Sequence, residues 1–121
     1  MNAERKAKVS QLAKQLKALT DDQKIDFIAK YGSIVTVEGH SLSRNNTCLL
    51  LFQMNGTVPT VVGGYRQWQR AGRQVCKGEH GSIIWFPRIQ GQTEDDPGEL
   101  QGFMLATVFD ISQTKEIGAS E

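Results

Sequence analysis

Long apolar runs are missing from this sequence. None approaches the ~18–20 residues that cross a bilayer, so a membrane-spanning helix is not expected. The N-terminus is polar and lacks the apolar stretch of a secretory signal, and the expected compartment is the cytoplasm. Cysteine is scarce: Cys48 and Cys76 cannot form a disulfide framework and lack CxxC spacing, so both are expected as reduced thiols. Histidine is limited to His40 and His80. With the two cysteines they could compose a four-ligand metal set. Cys48, however, falls inside an apolar run, where a thiol serves as a small buried side chain. There is no GxxxxGK phosphate loop, no HExxH and no GxSxG elbow. Neither a metal, another cofactor nor an enzymatic activity is expected.

Acidic residues are missing from one long stretch. Between Gly39 and Gly78 there is none, and residues 39–93 carry six Lys/Arg against the single acid Glu79. Residues 94–121 reverse this, with seven acids against Lys115. The formal net charge of +1 therefore conceals a cationic middle and an anionic end. Such a middle suits an anionic partner such as nucleic acid, or is an ordinary solvated surface.

At 121 residues the chain is long enough for one domain with a single modest core. Ala3 to about Leu19 is rich in good helix formers, with Val9, Leu12, Leu16 and Leu19 at helical spacing. Thr20-Asp21-Asp22-Gln23 reads as a capping box opening a second helix, with Gly32 as its C′ residue. Ser41 or Ser43 can cap a third helix through Cys48-Leu49-Leu50-Leu51-Phe52, whose broad apolar face predicts burial on more than one side. Gly63-Gly64 opens a fourth helix at 65–71, and Gly72 closes it. Strands are predicted at 73–77, 82–87 and 103–109. The third of these places Phe103, Leu105, Thr107 and Phe109 on one face. Residues 88–102, with three Gly, a Pro and four acids, read as a loop. The fold class is α+β: N-terminal helices packed on a small antiparallel sheet in a single domain. Residues 1–38 form a helical region, 39–114 the core and 115–121 a loose tail.

In the 65–71 helix, continued to residue 73, Arg66, Arg70 and Arg73 stand at i, i+4 and i+7, one face with no acidic partner at helical spacing. Tyr65 and Trp68 share another face. Cations along a track with aromatic rings nearby suit single-stranded nucleic acid, the cations following phosphates and the rings stacking on unpaired bases. Each residue has a plainer role. Trp68 can be core, Tyr65 can be core or a stacking ring, the arginines can be solvated surface, and Asn45 or Asn46 can be a helix cap.

The run Ser43-Arg44-Asn45-Asn46 with Leu49-Leu50 and Gln53 resembles the opening of the N-terminal domain of ArdC-type antirestriction proteins. Thr60-Val61-Val62-Gly63-Gly64-Tyr65-Arg66-Gln67-Trp68 continues the likeness. So do Gly72-Arg73-Gln74-Val75-Cys76-Lys77-Gly78-Glu79-His80-Gly81 and Val108-Phe109-Asp110-Ile111-Ser112-Gln113-Thr114. Four blocks in order cover about residues 40–114. Leu42 stands where the family often has an aromatic, and Cys76 where it often has a base.

The resemblance implies a single-stranded-DNA-binding domain of a plasmid or phage antirestriction-type protein, with little sequence preference. Arg44, Arg66, Arg70, Arg73 and Lys77 are then the candidate phosphate contacts. Asn45, Asn46 and Tyr65 are candidates for polar or stacking contacts. A second class stays open: a mobile-element protein that inhibits a host restriction or defence nuclease by protein contact, using the acidic segment 91–101.

Overall fold

The structure, a computed structural model, describes residues 3–54 and 56–118, the side chains of Pro87, Arg88, Ile89, Gln101 and Phe103 lying outside that description. The elements are α1 (Ala3–Lys17), α2 (Asp21–Ala29), β1 (Val35–Thr36), α3 (Arg44–Gln53), β2 (Val61–Gly63), α4 (Tyr65–Arg70), β3 (Arg73–Val75), β4 (Ser82–Gln90), β5 (Glu99–Asp110) and β6 (Thr114–Glu116). A 3-10 turn at Ile111–Gln113 links the last two strands. The class is α+β, with no described helix long and apolar enough to cross a membrane.

Local chemistry sets the helix starts. The Thr20 hydroxyl accepts from the Gln23 N–H at 3.1 Å, and the Gln23 side chain accepts from the Thr20 N–H at 2.8 Å, completing the capping box of α2. Ser43 rather than Ser41 caps α3, its Oγ accepting from the Asn46 N–H at 3.2 Å. Gly32 is not the C′ residue of α2. That helix ends at Ala29 with Lys30 as its αR cap, and Gly32 is not among the glycines with positive φ.

The main sheet has the order β1-β2-β5-β4 and is mixed, not purely antiparallel. β1 and β2 run parallel, pairing Val35 with Val61, because α3 lies between them as the crossover that parallel neighbours require. β2–β5 and β4–β5 are antiparallel.

The expected loop over 88–102 is shorter than its composition implies, because both of its ends belong to a hairpin arm. β4 runs on to Gln90 and β5 starts at Glu99, leaving only 91–98 as the connection. The register shifts between Pro87 and Ile89, and such an irregularity lets a residue without an N–H sit in a continuing ladder. The predicted tail is also partly ordered. Thr114–Glu116 form β6 and pair with β3 in a separate two-stranded ribbon, Gln74 opposite Lys115. Residues 119–121 of that tail lie outside the described residues.

Two apolar clusters lie on the two faces of the sheet. One joins Ile34, Leu50, Leu51, Val62, Ile84 and Val108, with Phe27 of α2 and Tyr31, just past its end, against it. The other joins Leu12 and Leu16 of α1 to Cys48, Leu49 and Ile83, with Trp85 and Leu105 beside them. The helix α3 feeds both, its residues 47–51 being buried in succession, as its broad apolar run implies. The helices α1 and α2 thus pack into the same core as the sheet. Burial pushes the Cys48 thiol's pKa up, against a smaller opposing pull from Lys24 and Arg44.

Candidate nucleic-acid interface

The surface around the Cys76–Gly81 turn is built by residues far apart in sequence. The Glu79 N–H donates to the Cys76 carbonyl at 3.2 Å, closing a tight turn in which Gly78 takes φ +87°, a conformation open to glycine at no steric cost. Gln113 then ties the turn to the end of β5. Its Nε2 donates to the His80 carbonyl at 2.8 Å and to Glu79 Oε2 at 3.2 Å, while its Oε1 accepts from the Asp110 N–H at 2.9 Å. The buried Asp110 carboxylate accepts from the Thr60 N–H, the Ser112 N–H and the Ser112 hydroxyl at 2.6–3.0 Å. Gly81 lies directly on β5, where an added Cβ would collide with Thr107 and crowd Phe109.

Beside this turn is a cleft of about 480 Å³ bordered by Tyr65, Gln74, Lys77, Glu79, Phe109 and Lys115. Tyr65 opens α4 and is 52% exposed, whereas Trp68 one turn on is 2% exposed, its Nε1–H donating to the Phe109 carbonyl at 2.9 Å. The two aromatics therefore divide: Trp68 is core and anchors α4, and Tyr65 presents its ring to solvent at the cleft. Lys77 is exposed on the turn. Lys115, passed over in the sequence because it stands among acids, arrives through the pairing of β6 with β3.

The three-arginine face does not form. α4 ends at Arg70, Gly72 takes φ +83°, and Arg73 begins β3. The Arg73 guanidinium instead pins β6, its Nε donating to Thr114 Oγ1 at 2.8 Å and its Nη2 to the Thr114 carbonyl at 3.2 Å. Arg66 and Arg70 are both exposed on α4, i and i+4 apart, and Arg70 borders a smaller depression with Val37, Glu38 and Gln67.

The α3 candidates lie with other partners. Arg44 Nη1 stands 3.9 Å from Asp21 Oδ1, and Asn45 Oδ1 accepts from Lys24 Nζ at 3.1 Å. Asn46 is turned inward: its Oδ1 accepts from the Trp85 N–H at 2.9 Å and its Nδ2 donates to the Trp85 carbonyl at 2.8 Å. Among the described residues, no group of three or more His, Cys, Asp or Glu could hold a metal ion.

The model of the N-terminal domain of the anti-restriction factor ArdC matches residues 3–118, a span that includes α1 and α2. Two crystal structures of the antirestriction protein ArdC from plasmid R388 share the fold. The metal-free one has a TM-score of 0.62 and 19% identity, covering 96% of this chain and 42% of that one. The Mn(II)-bound one has a TM-score of 0.56 and 24% identity, covering 77% and 38%. The chain thus spans about two fifths of the length of those proteins. No curated protein sequence gives a significant match.

Proposed function

The chain belongs to the family of the N-terminal domain of the anti-restriction factor ArdC, and on that premise we propose that it binds single-stranded DNA through the Tyr65–Lys77–Lys115 cleft, largely without sequence preference. The observation that carries this reading is an exposed ring and two lysines around one cleft. The lysines meet phosphates, and the Tyr65 ring stacks on an unpaired base, an interaction of roughly 1–3 kcal/mol per base. Arg66, next to Tyr65, and Arg70 one turn on extend the cationic surface along α4. The chain acts by binding, without catalysis of its own, in the cytoplasm and as part of a plasmid- or phage-borne antirestriction function.

Fluorescence anisotropy with labelled oligo-dT and with duplex of equal length tests this. The single strand is expected to bind more tightly, because stacking needs unpaired bases. Lys77→Gln should weaken binding and flatten the log–log salt dependence by about 0.7. Tyr65→Ala should weaken it about five- to hundredfold. Equal or tighter duplex binding overturns the single-strand reading.

One observation favours a second reading, inhibition of a host defence nuclease by protein contact. On the hairpin arm the cross-strand partners Phe86 and Met104 are both exposed, as is Leu100, near a tip that carries Glu94, Asp95 and Asp96. Deleting residues 92–97 is expected to leave the fold and the DNA affinity intact. Loss of nuclease inhibition with DNA binding unchanged would shift the function to the arm.

A further inference from the structure

Three depressions adjoin along one side of the Cys76–Gly81 turn. The first is the Tyr65–Lys77 cleft. The second, of about 390 Å³, lies between the turn and α1 and is bordered by Lys8, Gln53, Glu79, His80, Ser82 and Gln113. The third, of about 420 Å³, is bordered by Glu4, Arg5, Lys8, His80 and Thr107. The first and second share Glu79, and the second and third share Lys8, His80 and Gly81, so the three adjoin around the turn. Thr107 borders the third depression and Phe109 the first, on the same face of β5. Gly81 lets the turn rest against both.

The placement of α1 over these depressions is fixed from its far end. Leu12 and Leu16 are buried in the cluster with Ile83, while the first turns carry Arg5 and Lys8 at i and i+3, where they border the third depression. Around the three depressions the cations are Lys115, Lys77, Lys8 and Arg5. The acids are Glu79, which accepts from Gln113, and Glu4.

We infer that α1 is part of the strand-binding surface: a single strand leaving the Tyr65–Lys77 cleft passes the His80–Gly81 turn and sets its phosphates against Lys8 and Arg5. This rests on the DNA-binding reading and extends it, making the site longer than the cleft alone. Lys8 contributes only to strands long enough to reach it.

The test compares two charge-matched changes on one helix. Lys8→Gln removes a cation that borders the second and third depressions, and Lys6→Gln removes an exposed one that borders none of the three. Affinity is measured by anisotropy for oligo-dT of about 5 and about 15 nucleotides, within the span of known single-strand site sizes, over a range of salt. Lys8→Gln is expected to weaken the longer oligonucleotide about three- to tenfold and to flatten its salt slope by about 0.7. The shorter one should be unaffected, and Lys6→Gln should change neither. Wild-type binding with Lys8→Gln indistinguishable from Lys6→Gln overturns this inference alone. Absence of wild-type binding to any oligo-dT overturns the proposed function and this inference together.

Discussion

Replacing Trp68 by alanine is expected to remove about 3–5 kcal/mol of stability, the usual cost of deleting a large buried aromatic. A domain of this size holds about 5–15 kcal/mol in all, so the variant should lose a substantial fraction of its stability. The indole is 2% exposed, and its Nε1–H donates to the Phe109 carbonyl at 2.9 Å. It also lies close under Gly63, where a Cβ would stand 3.4 Å from Nε1. One side chain thus fastens the six-residue α4 to both β2 and β5, and α4 is too short to hold itself. Urea denaturation measures the effect as a lower midpoint. Trp68→Phe keeps much of the apolar area and loses the hydrogen bond, so its loss should be smaller. Arg70→Gln, an exposed cation on the same helix, should leave stability within about 0.5 kcal/mol. An unshifted midpoint for the alanine variant would show that the ring is not a structural anchor.

The sequence made local features legible and nonlocal ones opaque. The Thr20–Gln23 box, the α1 stripe and the two-sided burial of α3 follow from short-range spacing, and each is present. The arginine row failed because helical spacing was carried across Gly72, which at φ +83° breaks the helix and turns Arg73 into a clamp on β6. The hairpin arm was hidden by composition. A two-stranded extension beyond the core has exposed polar partners such as Gln90 and Glu99 and needs no apolar alternation to pair. At the candidate site, Tyr65 and Lys77 were both recognisable as residues, but their sharing one cleft was not. That depends on Gln113, which fastens the turn from more than thirty positions away, and on β6, which brings Lys115 out of an acidic segment.

Asn46 and Gln53 carry the second large expected effect, and it falls on stability rather than on DNA. β4 is an edge strand, so half of its backbone groups face away from β5. The amide of Asn46 pairs with both the N–H and the carbonyl of Trp85. The amide of Gln53 does the same for Ile83, each of those two bonds being 2.8 Å. Seven residues are two helical turns, which puts both amides on one face of α3, opposite strand residues two apart. Only an amide offers a donor and an acceptor side by side, as a neighbouring strand would. Asn46→Ala strands one donor and one acceptor in a part-buried setting, at about 1–3 kcal/mol each, and the expected loss is about 2–5 kcal/mol. Asn46→Asp should recover little, because its carboxylate can accept from the Trp85 N–H but meets the Trp85 carbonyl with like charge. Asn46 and Gln53 serve the same strand, so the double variant should lose less than the sum of the two, and its uncovered edge should promote association. Asn45→Ala, whose side chain meets only the Lys24 amine among the described bonds, serves as the neutral neighbour. Urea midpoints and faster exchange of the Ile83 and Trp85 amides are the readouts. If Asn46 instead contacts DNA, Asn46→Ala will weaken oligo-dT binding by more than its loss of folded fraction accounts for, while the Trp85 amide stays protected. The paired geometry leads to the opposite result, reduced protection with folded-state affinity unchanged.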